Sequence, residues 1–69
     1  MRVTINGEAK EIEDGLKVSD LVSLLELKAE RLAIEVNRKI IRRADWQLTS
    51  LAEDDKIEIV QFVGGGSLA

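Results

Sequence analysis

A single short helical stripe stands between stretches that alternate with the period of a strand. Val18, Leu21, Val22 and Leu25 fall at i, i+3, i+4 and i+7, one face of an amphipathic helix running from about Val18 to Leu25. Before it, Val3 and Ile5 share one face, and Asn6-Gly7 supplies the two positive-φ residues of a type I′ turn. A hairpin is therefore expected, with its second strand from about Glu8 to Ile12 and a turn at Asp14-Gly15. After it, Leu32, Ile34 and Val36 alternate, Asn37-Arg38-Lys39 turns the chain, and Ile40-Ile41 returns as a second hairpin. From Arg42 to Ser50 no period is sustained, so irregular chain is expected with one helical turn near Ala44-Asp45-Trp46. Glu53-Asp54-Asp55 is a polar turn, and Lys56 to Val63 gives the last strand. The helix has no good cap in the sequence: Lys17 is a poor N-cap, and Ser19 would cap only by shortening it.

One helix stripe must serve two hairpins and a final strand, and the economical arrangement is one mixed sheet wrapped over that helix. The last strand then lies beside the first and parallel to it, because the long connection can cross over while a hairpin cannot. The expected class is α+β, a ubiquitin-like β-grasp of about five strands on one helix. Within the last strand Ile57 and Ile59 share a face, while Val60 and Phe62 share the opposite face with Glu58. Apolar residues on both sides predict a central strand covered on both faces. Sixty-nine residues hold one small core. We assign residues 1–63 to the domain and 64–69 to a glycine-rich tail without fixed structure, since little there offsets chain entropy.

Composition narrows the function. The chain has no Cys and no His, so thiolate or His metal sites and Ser-His or Cys-His catalysis have no residues to use. A net charge of −3 argues against nucleic acid, whose phosphates need a basic face. No apolar run approaches the ~18 residues of a membrane span, and Met1 is not followed by a leader pattern, so a cytoplasmic location is expected.

The last strand runs into Gly64-Gly65-Gly66, followed by Ser67-Leu68-Ala69. Glycine has no Cβ, so such a run is slim enough to enter another protein's active site, and equally suits a plain flexible linker. The rest of the sequence bears on the choice. Asn6-Gly7-Glu8, Asp14-Gly15, Val18-Ser19-Asp20-Leu21, Ala33-Ile34-Glu35-Val36-Asn37, Arg43-Ala44-Asp45-Trp46, Leu51 and the run Ile57 to Gly66 resemble the ThiS family, the sulfur carriers of thiamine biosynthesis. The resemblance covers nearly the whole chain and implies the same β-grasp.

It also implies a carrier, not an enzyme, needing no cofactor or metal of its own. In such a carrier the terminal glycine carboxylate is adenylated by an ATP-using, ubiquitin-activating-like adenylyltransferase. A sulfur donor protein then provides the sulfur of a thiocarboxylate, which thiazole synthase consumes. A carboxylate is a poor acyl electrophile, so AMP must first be installed as a leaving group, and the acid must be oriented at ATP through a narrow channel. Gly66 is the residue matching the acyl position, with Gly64 and Gly65 as its slim approach. The family's glycines end the chain, whereas Ser67-Leu68-Ala69 here leaves Gly66 in a peptide bond. Two origins fit this departure: an artificial addition, or a natural extension that a peptidase trims. Arg38, Arg42 and Asp54 also depart from the family, which often has Gly, Pro and Gly there.

Phe62, with Val60, is the candidate partner-binding pair, read either as an aromatic anchor for the activating enzyme or synthase or as ordinary core. Trp46 is expected to pack the long loop onto the sheet end. Arg38, Lys39, Arg42 and Arg43 form a basic cluster, expected to be a solvated hairpin and alternatively a steering patch. Two further readings of the whole chain stand beside the carrier for thiazole formation. One is a carrier resembling the small subunit of molybdopterin synthase, and the other is a β-grasp binding module whose glycines are only a linker.

Overall fold

The computed structural model describes residues 1–63 and 67–68. Its element order is β1 (Arg2–Ile5), β2 (Glu8–Glu11), α1 (Val18–Leu24), a 3₁₀ turn (Ala29–Arg31), β3 (Leu32–Val36), β4 (Lys39–Ile41), a second 3₁₀ turn (Arg43–Asp45), β5 (Lys56–Val63) and β6 (Ser67–Leu68). The five main strands form one sheet in the order β2-β1-β5-β3-β4. β1 and β5 run parallel, and every other pair is antiparallel. The mixed sheet, the single helix and the last strand in the centre are those of the expected β-grasp. Gly64, Gly65, Gly66 and Ala69, on which the reading of an unstructured tail mainly rests, lie outside the described residues. Within that tail Ser67 and Leu68 do pair with Val63 and Phe62.

The core lies between the sheet and α1. Val3, Ile34, Val36 and Ile57 bury the inner face of the strands against Val18, Leu21 and Val22, and Ile12, Trp46 and Leu51 close its ends. Fully burying a side chain of this size stabilises by about 1.5–3 kcal/mol each, before the opposing chain entropy. The helix packs on one side of the sheet only, which corrects the expectation that β5 is covered on both faces. Glu58 is exposed and Val60 retains 38% of its surface. Among the described residues no second helix or sheet lies on that side.

Both ends of α1 are held by backbone geometry that composition does not signal. At its start Asp20 accepts the Lys17 N–H at 2.9 Å, the reciprocal half of a capping box. The free N–H groups of Val18 and Ser19 donate to the carbonyls of Thr49 and Trp46, so the long loop caps the helix. At its end Glu26 adopts φ 56°, and the N–H groups of Glu26 and Leu27 return to the carbonyls of Ser23 and Val22. This is a Schellman closure with glutamate where glycine is usual. Trp46 is buried and donates its indole N–H to the Ile41 carbonyl at 3.0 Å, fixing the loop to the sheet end as expected. At the chain start the Met1 ammonium donates to the Ile12 carbonyl and sits 3.0 Å from Asp14. Its hydrogen bond to the Asp14 carboxylate raises its pKa above the ordinary 8.0.

Two asparagines bracket β5. Asn6 and Asn37 each occupy the first central position of a tight turn, with φ 49° and 52°, a left-handed conformation that asparagine tolerates well. Asn6 continues the β1–β5 ladder past the end of β1: its side chain accepts from the Ile59 N–H at 2.7 Å and donates to the Ile59 carbonyl at 3.2 Å. On the other side Asn37 accepts from the Lys56 N–H at 3.0 Å and donates to Asp55 at 2.9 Å. Replacing Asn6 with alanine removes both bonds to Ile59 and adds left-handed strain. Asn6→Ala is expected to cost about 1–2 kcal/mol in a urea denaturation series, and a loss below about 0.3 kcal/mol would show that the side chain does not hold β5.

The three departures from the family pattern fall on positions with defined backbone needs. Arg38 and Asp54 adopt φ 71° and 68°, the conformation glycine takes without strain. Arg42 has φ −64° and ψ 144°, values open to proline. Val36↔Lys39 closes the two-residue turn as a hydrogen-bonded pair, so alternation directs the Arg42 N–H away from β3. Arg38→Gly and Arg42→Pro are each expected to raise stability by about 0.5 kcal/mol, read as a higher urea midpoint at unchanged slope.

Candidate functional site

β5 leaves the sheet in steps. Its pairing with β1 ends at Ile57 and is prolonged by the Asn6 amide to Ile59. Its pairing with β3 continues to Gln61 opposite Leu32. Beyond that point only Phe62 and Val63 remain before the glycines, and their backbone pairs with Leu68 and Ser67. The segment that resembles the family's acyl end thus departs directly from the central strand of the sheet. Gly66, with Gly64 and Gly65, lies outside the described residues.

Alternation along β5 sends Glu58, Val60 and Phe62 to the outer face, away from α1. Val60 stands opposite Ala33 and Glu58 opposite Glu35, while Glu35 in turn faces Ile40 on β4. These residues, with Ile34 beneath them, line a shallow cleft of about 60 Å³. Ile40 is 72% exposed, a large apolar side chain in water beside the exposed Val60. Phe62 is half-buried and belongs neither to the core nor to the apolar residues packed against it. The two candidate partner-binding residues therefore lie on the same face, Val60 exposed and Phe62 half-buried. Sequence reasoning left out Ala33 and Ile40; the signal for Ile40 was its alternation with the inward Ile41 in a strand whose far side has no covering element.

The cluster Arg38, Lys39, Arg42 and Arg43 is exposed along the β3–β4 turn, β4 and the following 3₁₀ turn. Ion pairs among the described residues join Met1 to Asp14 and Glu11, and Arg2 to Glu11. None involves that cluster or the outer-face glutamates. No helix among the described residues is long and apolar enough to cross a membrane.

Comparison with known proteins accounts for nearly all of the chain. The curated thiazole synthase of Magnetococcus marinus is 36% identical over 66 residues, covering 96% of this chain, and the chain spans only about 20% of that protein's length. The sulfur carrier protein ThiS of Bacillus subtilis is 35% identical over 63 residues, covering 90% of this chain and 96% of the relative. The crystal structure of the thiamine biosynthesis protein ThiS from Geobacter metallireducens superposes with a TM-score of 0.84 at 30% identity, over 96% of this chain and 100% of that one. The model of the ThiS family matches residues 3–66, from β1 through the three glycines, and the chain belongs to that family.

Proposed function

We propose that this chain is a sulfur carrier for thiazole formation in thiamine biosynthesis, acting as the protein cosubstrate of other enzymes. One observation carries the reading: the match to the family extends over residues 3–66, ending at Gly66, and that segment leaves from the central strand of the sheet. A rigid strand followed by side-chain-free residues delivers a terminal carboxylate to a distant catalytic centre at small conformational cost. Hydrolysis of the Gly66–Ser67 peptide bond first frees the Gly66 carboxylate, which then attacks the α-phosphorus of ATP, giving the acyl-adenylate and releasing pyrophosphate. Hydrosulfide supplied through a sulfur donor protein then attacks the acyl carbon and expels AMP, and the resulting thiocarboxylate is the group passed on.

The partners follow from these steps: a ubiquitin-activating-like adenylyltransferase, a sulfur donor protein and a thiazole synthase. The last is supported by a relative named thiazole synthase that carries a segment like this chain within its own length. The exposed Val60 and half-buried Phe62 are the docking pair, placed where a partner gripping the outer face would also receive the tail. Cytoplasmic ATP suits the first step.

Chemistry makes Gly66 the decisive position. The 69-residue chain holds the Gly66 carbonyl in a peptide bond and should be inert, whereas a chain ending at Gly66 should gain AMP and then exchange oxygen for sulfur at its terminus. Intact-mass spectrometry with ATP, an adenylyltransferase of the thiamine pathway and a sulfur donor reads both changes. Adenylation of the untrimmed chain at Ala69, or indifference of the trimmed chain to activating enzymes of both the thiamine and molybdopterin pathways, would favour the binding-module reading. Gly65→Leu should block adenylation and leave the melting curve unchanged, because its side chain obstructs the channel.

Phe62→Ala tests the docking face. Calorimetric titration against the adenylyltransferase should show a loss of about 2 kcal/mol or more in binding, with less than about 1 kcal/mol lost in folding stability. The opposite ratio would place Phe62 in the core.

A further inference from the structure

One cleft on the outer face of the sheet is apolar at its rim and anionic at its centre. Glu35 of β3 and Glu58 of β5 stand directly opposite one another. Side chains so placed have Cβ atoms about 4.5–5.5 Å apart, and like charges there destabilise a sheet. The ion pairs among the described residues reach neither carboxylate, and Lys56, on the same face of β5, forms none with Glu58. Ala33, Ile40 and Val60 surround the two glutamates in one cleft. Repulsion at the centre of an otherwise apolar cleft is relieved by a cation whose stem and surroundings are themselves apolar.

We propose that this face receives a protein surface presenting an arginine to Glu35 and Glu58, with apolar side chains against Ala33, Ile40 and Val60. A guanidinium is planar, weakly hydrated and carries five donors, so it spans two neighbouring carboxylates while its methylene stem lies on the isoleucine and valine. A lysine ammonium is a compact, strongly hydrated charge and fits a partly apolar cleft less well. The surrounding apolar contacts exclude water and strengthen the charge-assisted bonds. The identity of the partner, an adenylyltransferase, rests on the carrier reading; the chemistry of the contact does not.

The contact can be tested without the enzyme. In ¹H–¹⁵N NMR, the 69-residue chain is titrated with acetyl-leucyl-arginyl-leucinamide and with the same peptide carrying citrulline, which keeps the shape and loses the charge. The arginine peptide should shift the amides of Ala33, Glu35, Ile40, Glu58 and Val60, and the E35Q/E58Q double variant should abolish the response. Equal shifts with citrulline, or shifts confined to another face, overturn the proposal. A second measurement separates binding from structure: Glu58→Gln should raise the thermal midpoint by removing repulsion, yet weaken the adenylyltransferase complex about tenfold. If the enzyme adenylates a chain ending at Gly66 but binds the Glu58→Gln variant as tightly as the parent, the arginine contact is wrong and the carrier reading stands. If no adenylation occurs while the arginine peptide still maps to this face, the carrier reading fails and the contact stands.

Discussion

The grip on β5 from both sides is the constraint on which the molecule depends. A central strand needs partners along both edges, yet β1 and β3 end at different heights along it. The side chains of Asn6 and Asn37 complete the ladder where backbone is missing, because a carboxamide offers the same donor and acceptor as a peptide group. Each does so from a turn whose left-handed geometry asparagine accepts. The turns that make the two hairpins thus also lock the strand inserted between them. With that strand fixed, Ile57 meets the helix and Val60 meets solvent.

The parts of this fold that were legible in the sequence are those with a local cause. Asn6-Gly7 dictates a type I′ turn by itself, and the stripe Val18, Leu21, Val22 and Leu25 reports the one helix. The eight residues of β5 could be read because polar turns and glycines bound them. The span of α1 was readable but its caps were not, since Trp46 and Thr49 supply carbonyls from 27 and 31 residues away and Glu26 takes a glycine-like turn without being glycine. Short 3₁₀ turns such as Ala29–Arg31 leave no periodic trace. The double coverage expected for β5 failed for a different reason: apolar residues on the outer face signal burial only if something covers them.

The same ambiguity decides how much of the site was readable. Val60 and Phe62 stood out as a surplus of apolar residues on the face opposite Ile57 and Ile59, and the structure leaves Val60 in water. Ile40 belongs with them but is adjacent in sequence to Ile41, and only the β3–β4 register tells which of the two points outward. The pairing of Glu35 with Glu58 is wholly a product of topology, joining residues from strands that a long loop separates. Glycine chemistry, by contrast, is written in the sequence and owes nothing to packing.

The locked register of β5 has a metric consequence. Gly66 lies five residues beyond Gln61, the last residue that β3 holds. A fully extended chain spans at most about 3.3–3.6 Å per residue, so the Gly66 carbonyl carbon can travel no more than roughly 18 Å from the edge of the sheet. Under the proposed carrier function the clamped strand turns the tail into a ruler: an enzyme seated on the outer face would have to keep its nucleotide within that radius. Because a slip of one residue would also turn Val60 and Phe62 inward, the reach of the tail and the outward facing of these two side chains are set by the same two asparagines.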